Sequence, residues 1–287
     1  MKKIIYSVLF FCLIGNSTAQ QTPADQQTTA YSIEGATAHL GNGEVIENSL
    51  LIFNEGKITF VGSAMATTAR LGSVINAKGK HVYPGFIAAN TTLGLVEIDA
   101  VKATNDQDEI GIMNPHIRSL IAYNAESKVV ESMRPNGVLM AQITPRGGVL
   151  SGTSSVVQLD AWNWEDAAIK TDDGIHMNWP SSFTSGKWWL GEDPALKPDV
   201  KYAENVDEIK AYFMNAKNYL ASNKEKTHLP YQATAGLFDG SKRFFIHVNG
   251  QKEITDAITV SKELGIHNLI IVNGEAADKV ADLLVKN

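Results

Sequence analysis

From residue 244 onward the chain alternates strand-like and helical segments, and few folds accept that pattern. The apolar run of "FFIHVNG" (residues 244–250) ends in Asn249-Gly250 and leads into "QKEITDAITVSKELG". "NLIIVNG" (268–274) ends in Asn273-Gly274 and leads into "EAADKVADLLVKN". In the first helical segment Ile254, Ile258 and the stretch from Val260 to Leu264 fall on one face at near-helical spacing. Strand, helix, strand, helix, joined by short glycine-bearing loops, predicts βαβ units on a parallel sheet. Ligands of such sheets bind at the carboxyl ends of the strands, where each of these runs delivers its polar pair.

Upstream the texture differs. Residues 31–81 alternate apolar and polar side chains around Gly41-Asn42-Gly43 and Asn54-Glu55-Gly56, which are hairpin signals, and "SVINAKGKHVYPG" predicts a further strand pair around Lys78-Gly79-Lys80. This is a small β module. Between about 95 and 200 the chain reads as a long irregular insertion that holds all five tryptophans, Trp162 to Trp189, as a packed lid, a subunit interface or a ligand platform. No internal repeat or coiled-coil heptad stands out.

The first 19 residues have another purpose. Lys2-Lys3, an apolar stretch from Ile4 to Ile14 and Ser17-Thr18-Ala19 form a signal-peptide pattern, with cleavage expected after Ala19. Residues 20–30, rich in Gln and Thr, are expected to be a disordered leader. The single cysteine, Cys12, lies in the signal, and no small pair precedes it as a lipid anchor would require, so no membrane anchor is expected after cleavage. The mature chain, exported to a periplasm or secreted, must then rely on its core rather than on disulfides. Its formal charge of −6 becomes −8 once Lys2 and Lys3 are removed. With no basic cluster, nucleic acid is not an expected partner.

"GEVIENSLLIFNEGKITFVGS" followed by "AKGKHVYPGFIAANTTLGL" resembles the opening of the amidohydrolase superfamily, in particular its imidazolonepropionase-like and dipeptidase-like members. The resemblance implies a β-sandwich module followed by a (β/α)8 barrel, here an incomplete TIM-type barrel over residues 82–287. It makes "FFIHVNGQKEITDAI" and "NLIIVNGEAADKV" similar to the fifth and sixth barrel strands. It also implies a divalent metal, typically zinc, that activates water against C–N bonds of small amide or peptide substrates. The two first-strand histidine positions of that family correspond here to Asn90 and Thr92, and the preceding carboxylate to Ala88. His247 stands where the family has a fifth-strand metal histidine, and Asn273 replaces the sixth-strand one. The eighth-strand aspartate would fall beyond Asn287.

A catalytic zinc needs about three protein ligands plus water. His247 therefore has three readings: a hydrogen-bonded strand-end residue, a ligand contact, or a metal ligand completed by others. Asn90, Thr92 and Asn273 are either loop-satisfying polar residues or pocket residues beside His247. Of the scattered histidines, His176 in "DGIHMNWP" is the one to watch. "TPRGGVLSG" lacks the lysine arrangement of a phosphate-binding loop and reads as a hairpin or flap, and no GxSxG elbow occurs. Asp172-Asp173 and Glu192-Asp193 read as solvated loops. No catalytic residue is assigned. The expectation is an exported amidohydrolase-like protein without the residues for metal hydrolysis. The alternatives are a non-catalytic binding or partner subunit, as a homo-oligomer or paired with an active homologue, and a truncated product of a longer amidohydrolase.

Overall fold

A computed structural model describes residues 22–222 and 226–286. The expected signal peptide and Cys12 lie outside the described residues. Two compact units divide between Phe86 and Ile87.

The first unit is a sheet of β1 (Tyr31–His39), β2 (Val45–Asn54), β3 (Lys57–Ser63), β4 (Ser73–Asn76) and β5 (His81–Val82). Its order is β3-β2-β1-β4, with β5 also on β1. The β2–β3 turn forms as the sequence requires: Glu55 and Gly56 have φ of 51° and 69°, the paired left-handed residues that match strand twist. The strand pair expected around Gly79 does not form. Both β4 and β5 run parallel to β1, at Tyr31–Glu34 and at Thr37–Ala38, as one strand interrupted by a loop. Gly35 (φ 81°) breaks the register of β1 opposite that loop, and a Cβ there would lie 3.3 Å from Lys78 N. The core is small, with Leu50, Ile52 and three alanines. The expected disordered leader is tied down in part. Gln27 donates from Nε2 to Phe53 O (3.2 Å) and accepts from Gly56 N at Oε1 (2.8 Å).

The second unit is built on β6 (Phe86–Thr91), β7 (Val138–Ile143), β8 (Leu150–Gln158) and β9 (Ala168–Asn178). A separate ribbon pairs β10 (Phe183–Thr184) with β11 (Lys197–Pro198), and β12 (Arg243–Val248) and β13 (Leu269–Asn273) complete the main sheet. The six-stranded order is β13-β12-β9-β8-β7-β6. β13, β12 and β9 are parallel, as the strand–helix alternation predicts. β8 runs antiparallel to both its neighbours, β7 and β9, so the sheet is mixed rather than wholly parallel. Three of its strands come from the stretch read as an irregular insertion. The reason is in "LSGTSSVVQ": β8 is buried along most of its length yet made of small polar residues, which carry no apolar alternation.

The helix Gln251–Leu264 follows β12 and ends at Gly265, whose φ of 71° is the left-handed cap. It buries Ile254, Ala257, Ile258 and Leu264 against the helix Tyr202–Ala221 and the sheet. Strand parity then divides β12. Phe244, Ile246 and Val248 enter this helix-covered core, while Phe245 and His247 point to the opposite face. β9 does the same, with Ile175 and Met177 in the core and His176 on the face of Phe245. Among the described residues no helix is long and apolar enough to cross a membrane.

Candidate functional site

The face opposite the helices carries a polar chain that crosses five strands. His176 is fully buried, its ring stacked on Phe245 at 4.4 Å with an interplanar angle of 2°. Its Nδ1 lies 3.0 Å from His247 Nε2, and its Nε2 lies 2.8 Å from Ser154 Oγ. Gln142 donates to Ser154 Oγ (3.4 Å) and to Asp173 Oδ2 (3.3 Å), and its Oε1 accepts from the Asn90 backbone N–H (3.1 Å). β6, β7, β8 and β12 each contribute one member, and β9 contributes two, Asp173 and His176.

Asn90 ends this chain with a left-handed backbone (φ 50°), a conformation asparagine tolerates. The turn exposes both its oxygens to Arg146 from the β7–β8 loop. Arg146 Nη1 donates to Asn90 Oδ1 and Nη2 to Asn90 O, each at 2.7 Å. Arg146 is half-buried, and burial lowers its pKa. Among the described residues no carboxylate pairs with it. Asp108, next to the same loop, is held by Lys102 at 2.7 Å.

Both imidazoles are held neutral. Burial pushes His176 down to about 2, helped by His247 and by the Arg146 charge. Burial pushes His247 down to about 4, again with Arg146. A neutral imidazole has one donor and one acceptor nitrogen. Both nitrogens of His176 and Nε2 of His247 are therefore committed to partners. The line Ser154–His176–His247 has the order of a nucleophile relay. Ser154 is fully buried, however, and its Oγ also bonds to Gly174 O (3.3 Å), so no reacting carbonyl can reach it.

Of the four positions read from the sequence, Asn90 and His247 join this network. Thr92 is half-buried and only its backbone carbonyl is used, by Leu95 N–H at 2.9 Å. Asn273, at the end of β13 with φ 70°, is exposed and makes no side-chain bond among the described residues. Arg146, Gln142, Ser154 and Asp173 were not read as site residues. Asp172 and Asp173 are not solvated loop residues. They lie in β9, where Asp172 pairs with Arg118 (2.7 Å) and buried Asp173 pairs with Lys170 (2.5 Å) and Arg243. "TPRGGVLSG" is the β7–β8 hairpin loop, with Gly147 and Gly148 at φ 79° and 60°. The tryptophans do not gather. Trp179 is buried, with Nε1 donating to Tyr202 OH (3.1 Å), whereas Trp162, Trp188 and Trp189 are exposed.

Among solved structures the chain is similar to an amidohydrolase from Thermotoga maritima MSB8, with a TM-score of 0.74 and 21% identity over 89% of this chain and 67% of that one. A prolidase solved with N-methylphosphonate-L-proline aligns over 89% of this chain and 64% of its own, at 14% identity and a TM-score of 0.44. No family model matches the sequence, and no curated protein matches it. The first likeness shows an amidohydrolase-type α/β fold. The chain spans about two thirds of the length of these structures.

The donor set does not fit the metal that the resemblance implies. Among the described residues no group of three His, Cys, Asp or Glu side chains converges to hold an ion. Within this network, His247 Nδ1 is the one imidazole nitrogen without a partner among the described residues, and the side-chain oxygen of Asn90 already accepts from a guanidinium. No step through a metal is derived for this site.

Proposed function

We propose that this chain is an exported, amidohydrolase-like binding protein on an incomplete (β/α)8 scaffold. It holds a small amide- or peptide-like ligand at the strand ends and does not hydrolyse it through a bound metal. The observation that carries this reading is the pairing of His176 with His247, which together with the Ser154 bond commits three of the four imidazole nitrogens there. The chemistry that remains suits recognition. Arg146 offers donors and positive charge and is held to the sheet by Asn90 of β6, and His247 Nδ1 offers a lone pair or proton from β12. Export rests on the signal-peptide pattern of residues 1–19.

The test is to incubate the mature chain with a panel of N-acetyl amino acids, their amides and dipeptides, with and without added zinc. Thermal shift reads binding and mass spectrometry reads turnover. Stabilisation by some members, without product in either condition, is expected. Turnover that a chelator abolishes and zinc restores would overturn the reading.

A further inference from the structure

The first unit holds a second imidazole pair, which the proposed binding role does not use. β5 runs parallel to β1 with His81 opposite Thr37 and Val82 opposite Ala38. Side chains alternate along a strand, so His39, two residues past Thr37, stands on the same face as His81 and away from buried Ala36 and Ala38. His39 Nε2 lies 3.0 Å from His81 Nδ1, and the pair is open to solvent. Tyr83 stacks on the His39 ring at 4.2 Å with an interplanar angle of 8°, which fixes that imidazole in place. Among the described residues no third His, Cys, Asp or Glu side chain joins the two rings in a metal-holding group. His39 Nδ1 and His81 Nε2 have no partner among the described residues, so each ring keeps one nitrogen for water.

We infer that His39 and His81 form a two-nitrogen chelate for a square-planar dication, copper(II) ahead of nickel(II). The spacing selects the geometry. With metal–imidazole bonds of about 2.0–2.1 Å, two nitrogens at a right angle lie about 2.8–3.0 Å apart, and two in a tetrahedral set about 3.3–3.4 Å. The observed 3.0 Å is that of the right-angled pair, so the strands need not move. A turn of the exposed His81 ring aims both lone pairs at one point. Before the ion enters, the N–H that bridges the rings is given up, and that ring carries its proton on its outer nitrogen instead, with no change in net charge. Among imidazole-binding dications copper(II) stands highest in affinity, and zinc prefers tetrahedral sets. Two protein ligands leave the other positions to water, so the ion exchanges readily and exhaustive dialysis removes it. The inference is independent of the binding role proposed above.

Isothermal titration of the mature chain with copper(II) and with zinc(II), each in glycine buffer, reads the site. Copper(II) should bind at about one ion per chain and at least about 10-fold more tightly than zinc(II). His39→Gln and His81→Gln should each weaken copper at least about 10-fold, and the double variant should lose little more, since either change opens the chelate. Electron paramagnetic resonance of the copper-loaded wild-type chain should show coupling to two imidazole nitrogens, which decides the matter even where a variant does not fold. Absence of copper binding, or copper affinity unchanged in both single variants, would overturn the inference. So would coupling to fewer than two nitrogens, or zinc bound as tightly as copper.

Discussion

His176 and His247 give the site its strongest link between residue chemistry and a bulk measurement. In the unfolded chain a histidine takes up a proton near pH 6.5. In the folded chain burial, supported by the Arg146 charge, holds His247 down to about 4 and His176 to about 2. The unfolded state therefore binds more protons between those values. The stability these groups contribute is complete above about pH 6.5 and declines as the pH falls toward the folded values. Fully buried His176 adds a slope of up to ~1.4 kcal/mol per pH unit. Urea midpoints at pH 7, 6, 5 and 4.5 should fall progressively, and His176→Gln should flatten that fall relative to its own value at pH 7. Equal slopes in the two proteins would mean that His176 is not held neutral by the fold. At this scale the sequence singled out Asn90 and His247, with His176 as the histidine to watch. Asn90 and His247 could be placed because they stand where a known pattern places ligands. Arg146, Gln142, Ser154 and Asp173 could not, because their roles come from strands that meet only in three dimensions, across separations of 12 to 70 residues.

At the scale of elements, close approach decides which strands can be neighbours. Gly174 of β9 lies against Phe245 of β12, and a Cβ on it would sit 2.5 Å from the Phe245 ring and 2.6 Å from Arg243 O. Backbone cannot yield there without parting two paired strands, so Gly174→Ala should cost about 1–3 kcal/mol, the usual penalty for overpacking a buried site. It should also displace the ring that stacks on His176, visible as a shifted His176 resonance. An unchanged denaturation midpoint would show that β9 and β12 are less tightly joined than the structure has them. The legibility of elements follows the same physics. β12, β13 and the helix between them were readable because apolar periodicity switches from strand to helix spacing within a few residues. The helix Tyr202–Ala221 was not read, although Tyr202, Val206, Ile209, Phe213 and Ala216 recur at helical spacing along its buried face. Its remaining positions are densely polar, and it follows a loop rich in Gly, Pro and Trp that masks its start. The pairing of β4 and β5 with β1 was invisible for a different reason: a glycine turn signals a reversal, and here Gly79 closes a loop within one strand line.

For the whole molecule, two units with separate cores carry an amidohydrolase-type fold, and among the described residues no group of three His, Cys, Asp or Glu side chains converges to hold an ion. The first unit is a strand module whose buried side chains are few and small. The second supplies the mixed sheet, its helix-covered core, and the opposite face on which the polar chain lies. The strand–helix alternation and the β module were legible in the sequence. The antiparallel β8 was not, since its residues are chosen for small size and hydrogen bonding rather than for hydrophobicity. On the proposed function, this strand-end site presents a fixed guanidinium and an imidazole pair and holds no metal. The most direct test of that claim is the metal content of the purified mature chain, by elemental mass spectrometry after exhaustive dialysis and again after incubation with zinc and removal of the excess. The account predicts far less than one ion per chain in both samples, and the same result for Arg146→Met. A retained ion close to one per chain, lost when His247 is replaced by alanine, would contradict it.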